Sequence, residues 1–208
     1  MVLSSPKAFI VDYGAGNLGS IARFIRSDLQ IPATTATPLL FTPNNYDFLV
    51  IPGVGNYGLA APKLATEQFT TAVSQFVQTG KMVLGICLGA QLLGHSSEEA
   101  KLPTRGLGLL PFNCVHLESH PIYSGKTPRT GWSTVQYDEQ EYSFYFVHSF
   151  YMKASLDSDC HSTSLCIDDQ VPAYMTSINA NVHALQFHPE KSAQDGFSFV
   201  SRLLKKYA

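Results

Sequence analysis

Two hydrophobic rhythms divide the chain. In the first half, short runs in which nearly every residue is apolar alternate with stretches whose apolar residues recur every three or four positions. Ala8-Phe9-Ile10-Val11, Phe48-Leu49-Val50-Ile51 and Met82-Val83-Leu84-Gly85-Ile86 are of the first kind. Asp12-Tyr13-Gly14 ends the first run and Pro52-Gly53 the second, so they read as short strands buried on both faces. Leu18, Ile21, Ala22, Ile25 and Leu29 share one helical face. So do Phe69, Val73, Phe76 and Val77, with Gly80 where a helix stop belongs. Doubly buried strands alternating with helices predict a parallel sheet covered on both sides.

The second half has a different rhythm. Strand-like runs from Asn113 to Leu117, Phe144 to His148, Tyr174 to Ile178 and Val182 to Phe187 follow one another with little helical pattern between them. They predict an antiparallel extension of the sheet. A closing helix is expected from about Asp195 to Lys206, with Phe199, Val200, Leu203 and Leu204 apolar and Ser192 as its cap. Lys205-Lys206 suit its negative end. There is no repeat, low-complexity tract or linker. The expected architecture is one α/β domain over residues 1–208: an open, mostly parallel sheet flanked by helices, with an antiparallel extension.

Composition narrows the function classes. A chain of 208 residues can bury roughly 70% of its unfolded surface, enough for a full core. Charged residues are 14% and aromatics 12%, a balance that argues against disorder. A surface this poor in charge fits either a large area covered by a partner or a Ser/Thr-rich solvated one. The net charge is -2, with no basic run beyond Lys205-Lys206, which disfavours nucleic-acid binding. No apolar stretch approaches the ~18 residues of a membrane span. Nothing after Met1 resembles a signal peptide, so a cytoplasmic protein with reduced thiols is expected. Cys87, Cys114, Cys160 and Cys166 lack paired zinc-ligand spacing. Cys160 and Cys166 with His161 between them are the weakest of metal signals, and no metal or cofactor is expected. His95, His116, His120, His161 and His183 form no ligand pattern and read as solvated or structural.

Three segments carry chemistry. In Gly85-Ile86-Cys87-Leu88-Gly89 a buried strand runs into a helix with cysteine at the junction. A sharp strand-to-helix turn crowds its flanks and needs small residues there, the logic of a nucleophile elbow. A helix N-terminus also favours a thiolate. The plainer reading of Cys87 is a small buried residue. In Phe187-His188-Pro189-Glu190 a strand ends in His, Pro, Glu. Proline keeps the preceding residue extended, and residues two apart in an extended chain point the same way. His188 and Glu190 then share a side, where a carboxylate can orient an imidazole; an exposed His-Pro turn is the alternative. In Pro52-Gly53-Val54-Gly55 a glycine-rich turn follows a parallel strand. Its backbone amides can stabilise an oxyanion, and no phosphate-loop spacing is present.

In that order, PGVG, GICLGAQ and HPE resemble the class I (triad) glutamine amidotransferases, a flavodoxin-like α/β family. Further landmarks are similar to the glutaminase subunits of imidazole glycerol phosphate synthase. These are Asp12-Tyr13-Gly14-Ala15-Gly16-Asn17-Leu18, Ser97-Glu98-Glu99, Gly106-Leu107-Gly108-Leu109, Gly131-Trp132 and Tyr145-Phe146-Val147-His148-Ser149-Phe150. The resemblance implies a triad of Cys87, His188 and Glu190. It implies an oxyanion met by the Leu88 amide and one from the Gly53-Val54 turn. Gly55, Gln91 and the backbone around Ser149-Phe150 match positions that hold glutamine, and His148 either orders that segment or is simply a packed strand histidine. Because one amidotransferase domain fills the 208 residues, the resemblance also implies a separate (β/α)8-barrel cyclase as ammonia acceptor, one copy of each, in histidine biosynthesis. Asn17, Trp132, Tyr145 and Lys191 would face it. One departure stands near that face: the family's usual His-Met-Gly-Trp-Asn run reads Arg129-Thr130-Gly131-Trp132-Ser133. Residues 155 to 170 show no landmark. A related subunit serving a different synthase, such as one for surface-sugar amination, stays open as an alternative. A stand-alone hydrolase would place His directly after the nucleophile, where Leu88 stands, and a non-catalytic subunit would not need all three triad residues.

Overall fold

A computed structural model describes residues 6–154 and 160–207, without the side chains of 160–163. Strand β1 (Ala8–Val11) leads into α1 (Leu18–Arg23), capped by Asn17, whose side chain accepts from the Ser20 N–H at 3.3 Å. The predicted continuation to Leu29 is a π-helical turn over Phe24–Asp28, which keeps Phe24 and Ile25 in the core. Next come β2 (Ala33–Ala36), β3 (Phe48–Ile51), α2 (Tyr57–Leu64) and α3 (Glu67–Gln78). Gly80 follows α3 at φ +78, the left-handed conformation of a helix stop. Then β4 (Met82–Ile86) and the single-turn α4 (Leu88–Gln91) are followed by β5 (Ser96–Ser97) and β6 (Phe112–His116). Strands β7 (Arg129–Tyr137), β8 (Gln140–His148), β9 (Phe150–Ala154), β10 (Cys160–Leu165), β11 (Pro172–Ser177) and β12 (Val182–Leu185) precede the closing helix α5 (Ala193–Leu204).

The main sheet has the order β10-β11-β12-β4-β3-β1-β2. It is parallel from β12 to β2, with β11 and β10 added antiparallel. The fully apolar runs are explained by this placement. Alternate residues of a strand point to opposite faces. Ile10, Val50 and Leu84 pack with Ile21, Phe199 and Leu203 on one side, whereas Phe9, Leu49 and Val83 pack with Leu64, Phe69 and Val73 on the other.

The antiparallel extension is smaller than the sequence suggested. Only β10 and β11 extend the main sheet. The run near residue 113 is β6, in a separate sheet of order β5-β6-β9, and the run ending at His148 is β8, paired with β7 in a two-stranded ribbon. The reason lies in the pattern. Along β8, Tyr142, Phe144, Phe146 and His148 are buried while Glu141 and Ser143 are exposed. Such alternation belongs to a ribbon packed on one face, here against Phe199 of α5. Among the described residues no helix is long and apolar enough to cross a membrane.

Candidate active site

Strands β3, β4 and β12 are neighbours, and their C-terminal ends deliver Pro52-Gly53, Cys87 and His188 to one edge of the sheet, where sites in open α/β folds lie. Cys87 sits at φ +54, ψ -111 between β4 and α4. A non-glycine residue held there stores roughly 1–3 kcal/mol of strain, which the surrounding structure must hold. The flanking glycines are required by space. A Cβ on Gly85 would lie 2.7 Å from the Ala90 Cα, and one on Gly89 would fall inside the Ile51 carbonyl. The Cys87 amide donates to the Leu185 carbonyl at 2.7 Å, tying the elbow to β12. Since α4 is a single turn, the helix dipole offers the sulfur less support than the sequence suggested, and the burden falls on His188.

His188 leaves β12 in extended conformation, and Pro189 opens a short turn that brings Glu190 back beside it. His188 Nδ1 and Glu190 Oε1 are 2.8 Å apart, with both side chains 2% exposed. Burial alone would lower the imidazole pKa. The charge of Cys87, with the hydrogen bond and charge of Glu190 at Nδ1, outweighs it and raises the pKa to about 9, while Nε2 has no hydrogen-bond partner among the described residues. The Cys87 sulfur lies 3.7 Å from the Val147 carbonyl oxygen. Ser192 occupies the N-cap position of α5, but its hydroxyl does not cap the helix. It donates to the His188 carbonyl at 2.6 Å and accepts from the Tyr145 amide at 3.0 Å. The expected capping role is thus replaced by one of fixing the histidine backbone to β8.

A cavity of about 240 Å³ opens beside the sulfur. Of the residues nominated from sequence, Val54, Gly55, Leu88, Gln91, Ser149 and Phe150 line it with Cys87, whereas Gly53, His188 and Glu190 do not. The turn shows its Gly53 carbonyl to the Leu88 amide, which donates to it at 3.3 Å. Gln91 Nε2 donates to the Phe150 carbonyl at 2.9 Å and to Gln186 Oε1 at 3.2 Å. The same Phe150 carbonyl lies 2.8 Å from His148 Nδ1. Burial, with the charges of Arg129 and His188, pushes the His148 pKa down to about 3 against the opposing Phe150 bond. The ring is therefore neutral, and because a carbonyl only accepts, Nδ1 carries the proton. His148 orders the Ser149-Phe150 corner.

Glu99, Pro128, Val147 and His148 also line the cavity. Glu99 is the consequential addition: a carboxylate at the cavity wall, with Oε2 accepting from the Tyr57 amide at 2.7 Å. The Ser97-Glu98-Glu99 landmark was its only signal in the sequence. Outside the cavity, Trp132 is 54% exposed. Its ring meets Tyr145 edge-on at 5.9 Å, and Lys191 Nζ lies 5.7 Å from the Tyr145 ring. Asn17 is exposed at the same sheet edge, at the start of α1. His183 is a buried structural histidine, 2.9 Å from the Tyr174 hydroxyl. The side chains of Cys160 and His161 lie outside the described residues, as do residues 155–159.

A cysteine elbow beside a buried histidine–glutamate pair, at the C-terminal edge of a mostly parallel sheet, is an arrangement suited to an α/β enzyme with a thiol nucleophile. The family model described as glutamine amidotransferase class-I matches residues 9–202, and the chain belongs to that family. Among solved structures, "Structure of PurLQS from Thermotoga maritima" has a TM-score of 0.74 at 18% identity, covering 98% of this chain and 100% of the other. "Crystal structure of glutamine amidotransferase" gives 0.71 at 15%, covering 96% and 98%. Curated relatives narrow the match to the imidazole glycerol phosphate synthase subunit HisH. The one from Gloeobacter violaceus is 34% identical, covering 98% of this chain and 91% of its own. The one from Chlorobium luteolum is 37% identical, covering 90% and 94%.

Proposed function

We propose that the chain is the glutaminase subunit of imidazole glycerol phosphate synthase, acting in histidine biosynthesis, with Cys87, His188 and Glu190 as its triad. The observation that carries this reading is the buried 2.8 Å His188–Glu190 contact beside a cysteine in a strained elbow. Cys87 and His188 act as a thiolate–imidazolium pair with the proton at Nε2, and the sulfur attacks the side-chain amide carbon of glutamine. Glu190 holds Nδ1 and stabilises the imidazolium. As the tetrahedral intermediate collapses, His188 gives its proton to the departing ammonia. Water then cleaves the glutamyl thioester to glutamate. The glutamine α-ammonium meets Glu99, while Gln91, Gly55 and the Ser149-Phe150 backbone shape the rest of the cavity.

The oxyanion needs the Leu88 amide, which the Gly53 carbonyl occupies at rest. The Gly53–Val54 peptide must turn over, exchanging its carbonyl for its N–H, before the hole exists. Glycine on both sides of Val54 eases that rotation. A partner docking across this edge supplies the bias. We assign that partner as a (β/α)8-barrel cyclase that accepts the ammonia, meeting Asn17, Trp132, Tyr145 and Lys191. In support, this chain matches only 33% of the length of the Arabidopsis thaliana relative named hisHF, so that protein carries a much larger second portion in the same chain.

The test is glutamate release from glutamine by the purified chain, alone and then with a barrel cyclase and its nucleotide ligand. A large rise on adding both, abolished by Cys87→Ala while the subunits still associate, is the expected result. No rise, with Cys87 still alkylated by a glutamine analogue, would keep the chemistry and overturn the partner. Activity surviving in Cys87→Ala would overturn the mechanism.

A further inference from the structure

We propose that Arg129 and Asp169 form a positioning pair that fastens the glutamine-side wall of the active site to the main sheet. The proposal rests on the glutaminase reading above. Pro128, Val147, His148 and Ser149 of that wall belong to the β7–β8 ribbon or its immediate ends, and this ribbon lies outside the main sheet. Its open end needs an anchor, and the structure shows one. The Arg129 guanidinium is buried and approaches both carboxylate oxygens of Asp169, at 3.3 and 3.1 Å. It also donates to Ser133 Oγ at 2.6 Å and stacks over the Phe146 ring at 4.8 Å. Asp169 is fixed in turn by the Val171 amide, at 3.1 Å, in the turn between β10 and β11.

The pair leads directly to the cavity. Arg129 is the cross-strand partner of His148. His148 bonds the Phe150 carbonyl, and Gln91 bonds the same carbonyl. Position is therefore handed from the main-sheet turn through Asp169, Arg129 and His148 to the corner that holds the substrate. The guanidinium charge also adds to burial in keeping His148 neutral, the state in which its Nδ1–H serves Phe150.

A buried ion pair is a poor source of stability, because desolvation offsets most of its attraction. Its rigid two-point geometry is better suited to setting register. The sequence supports this assignment. Arg129 and Ser133 are the two ends of the run that departs from the family's His-Met-Gly-Trp-Asn, and here they bond each other. Two of its three departures thus form one contact, and the third, Thr130, is exposed.

The test is alkylation of Cys87 in the full chain by a diazoketone analogue of glutamine, compared with alkylation by iodoacetamide. The variant Arg129→Met/Asp169→Asn removes the pair without stranding a buried charge. Its KI for the glutamine analogue is expected to rise about tenfold, with the iodoacetamide rate changed by less than about twofold. A folded double variant with unchanged KI would overturn the proposal, and so would one in which both reagents slow together, the mark of general loosening. Asp169→Asn alone, nearly isosteric, is expected to raise KI about threefold and decides the matter if the double variant does not fold. An unchanged KI in it would overturn the proposal equally. Saturation of the unaltered chain by the analogue is the separate check on the glutaminase reading. Its absence would overturn that reading and the proposal together.

Discussion

The backbone amide of Leu88 donates to the carbonyl of Gly53 at 3.3 Å, so the donor best placed for an oxyanion is engaged by the turn that should help it. In the mechanism proposed above, the resting chain has its triad assembled but its oxyanion hole closed. Losing one such donor typically costs about 10²–10³ in kcat. Glutamate release by the isolated chain is therefore expected to be slower than in the ligand-bound assembly by at least about 10²-fold. Equal rates in the two states would show that the turn does not control activity.

Glu190 and His188 make a second prediction. Burial lowers the imidazole pKa, but Cys87 and Glu190 more than reverse this, to about 9. A raised histidine pKa stabilises the fold fully below its unfolded value near 6.5, and the contribution is lost as pH rises through about 9. In Glu190→Gln the His188 midpoint should fall, as followed by the ring-proton NMR signal. Glutamine turnover should drop by about 10²–10⁴-fold, since the imidazolium loses its counter-charge. A midpoint unmoved in the variant would sink the assignment of Glu190.

These residues were legible in the sequence because each is constrained by its immediate neighbours. The elbow needs small residues two places either side of Cys87, and Pro189 sets the return of Glu190 toward His188. The main sheet was legible for a similar reason: strands covered on both faces must be apolar throughout. What was missed is non-local. β2 reads Ala-Thr-Thr-Ala because it is the sheet edge, with no second neighbour to demand apolar side chains. Glu99 and Pro128 reach the cavity from distant loops, and no spacing ties them to Cys87. Ser192 has the sequence position of a cap, but its partners, the His188 carbonyl and the Tyr145 amide, lie outside the helix it precedes.

His183 predicts acid sensitivity of the fold. It is buried between the Tyr174 and Tyr207 hydroxyls. Burial first, then the Lys206 charge, lowers its pKa to about 4. A depressed histidine contributes stability that is present above the unfolded value near 6.5 and is lost as pH falls toward about 4. The loss at pH 5 is about 2 kcal/mol from this residue. His183→Gln should lower Tm at pH 7 yet show a smaller further fall between pH 7 and pH 5 than the unaltered chain. His148, depressed by the same cause, leaves a residual slope in both. Parallel Tm curves would place the acid sensitivity elsewhere.

Trp132 offers a way to separate association from chemistry. An indole 54% exposed, held edge-on against Tyr145 at 5.9 Å and outside the cavity beside Cys87, fits an anchor for the proposed partner. Truncating an anchor of this kind costs about 2 kcal/mol or more of binding, roughly 30-fold in Kd. Trp132→Ala should weaken association with the proposed cyclase partner by that factor in titration calorimetry. The iodoacetamide rate at Cys87 should be unchanged, because no atom of Trp132 lines the cavity. Unaltered Kd would move the interface away from the β7–β8 ribbon. A fall in alkylation alone would mean that Trp132 supports the sulfur and not the partner.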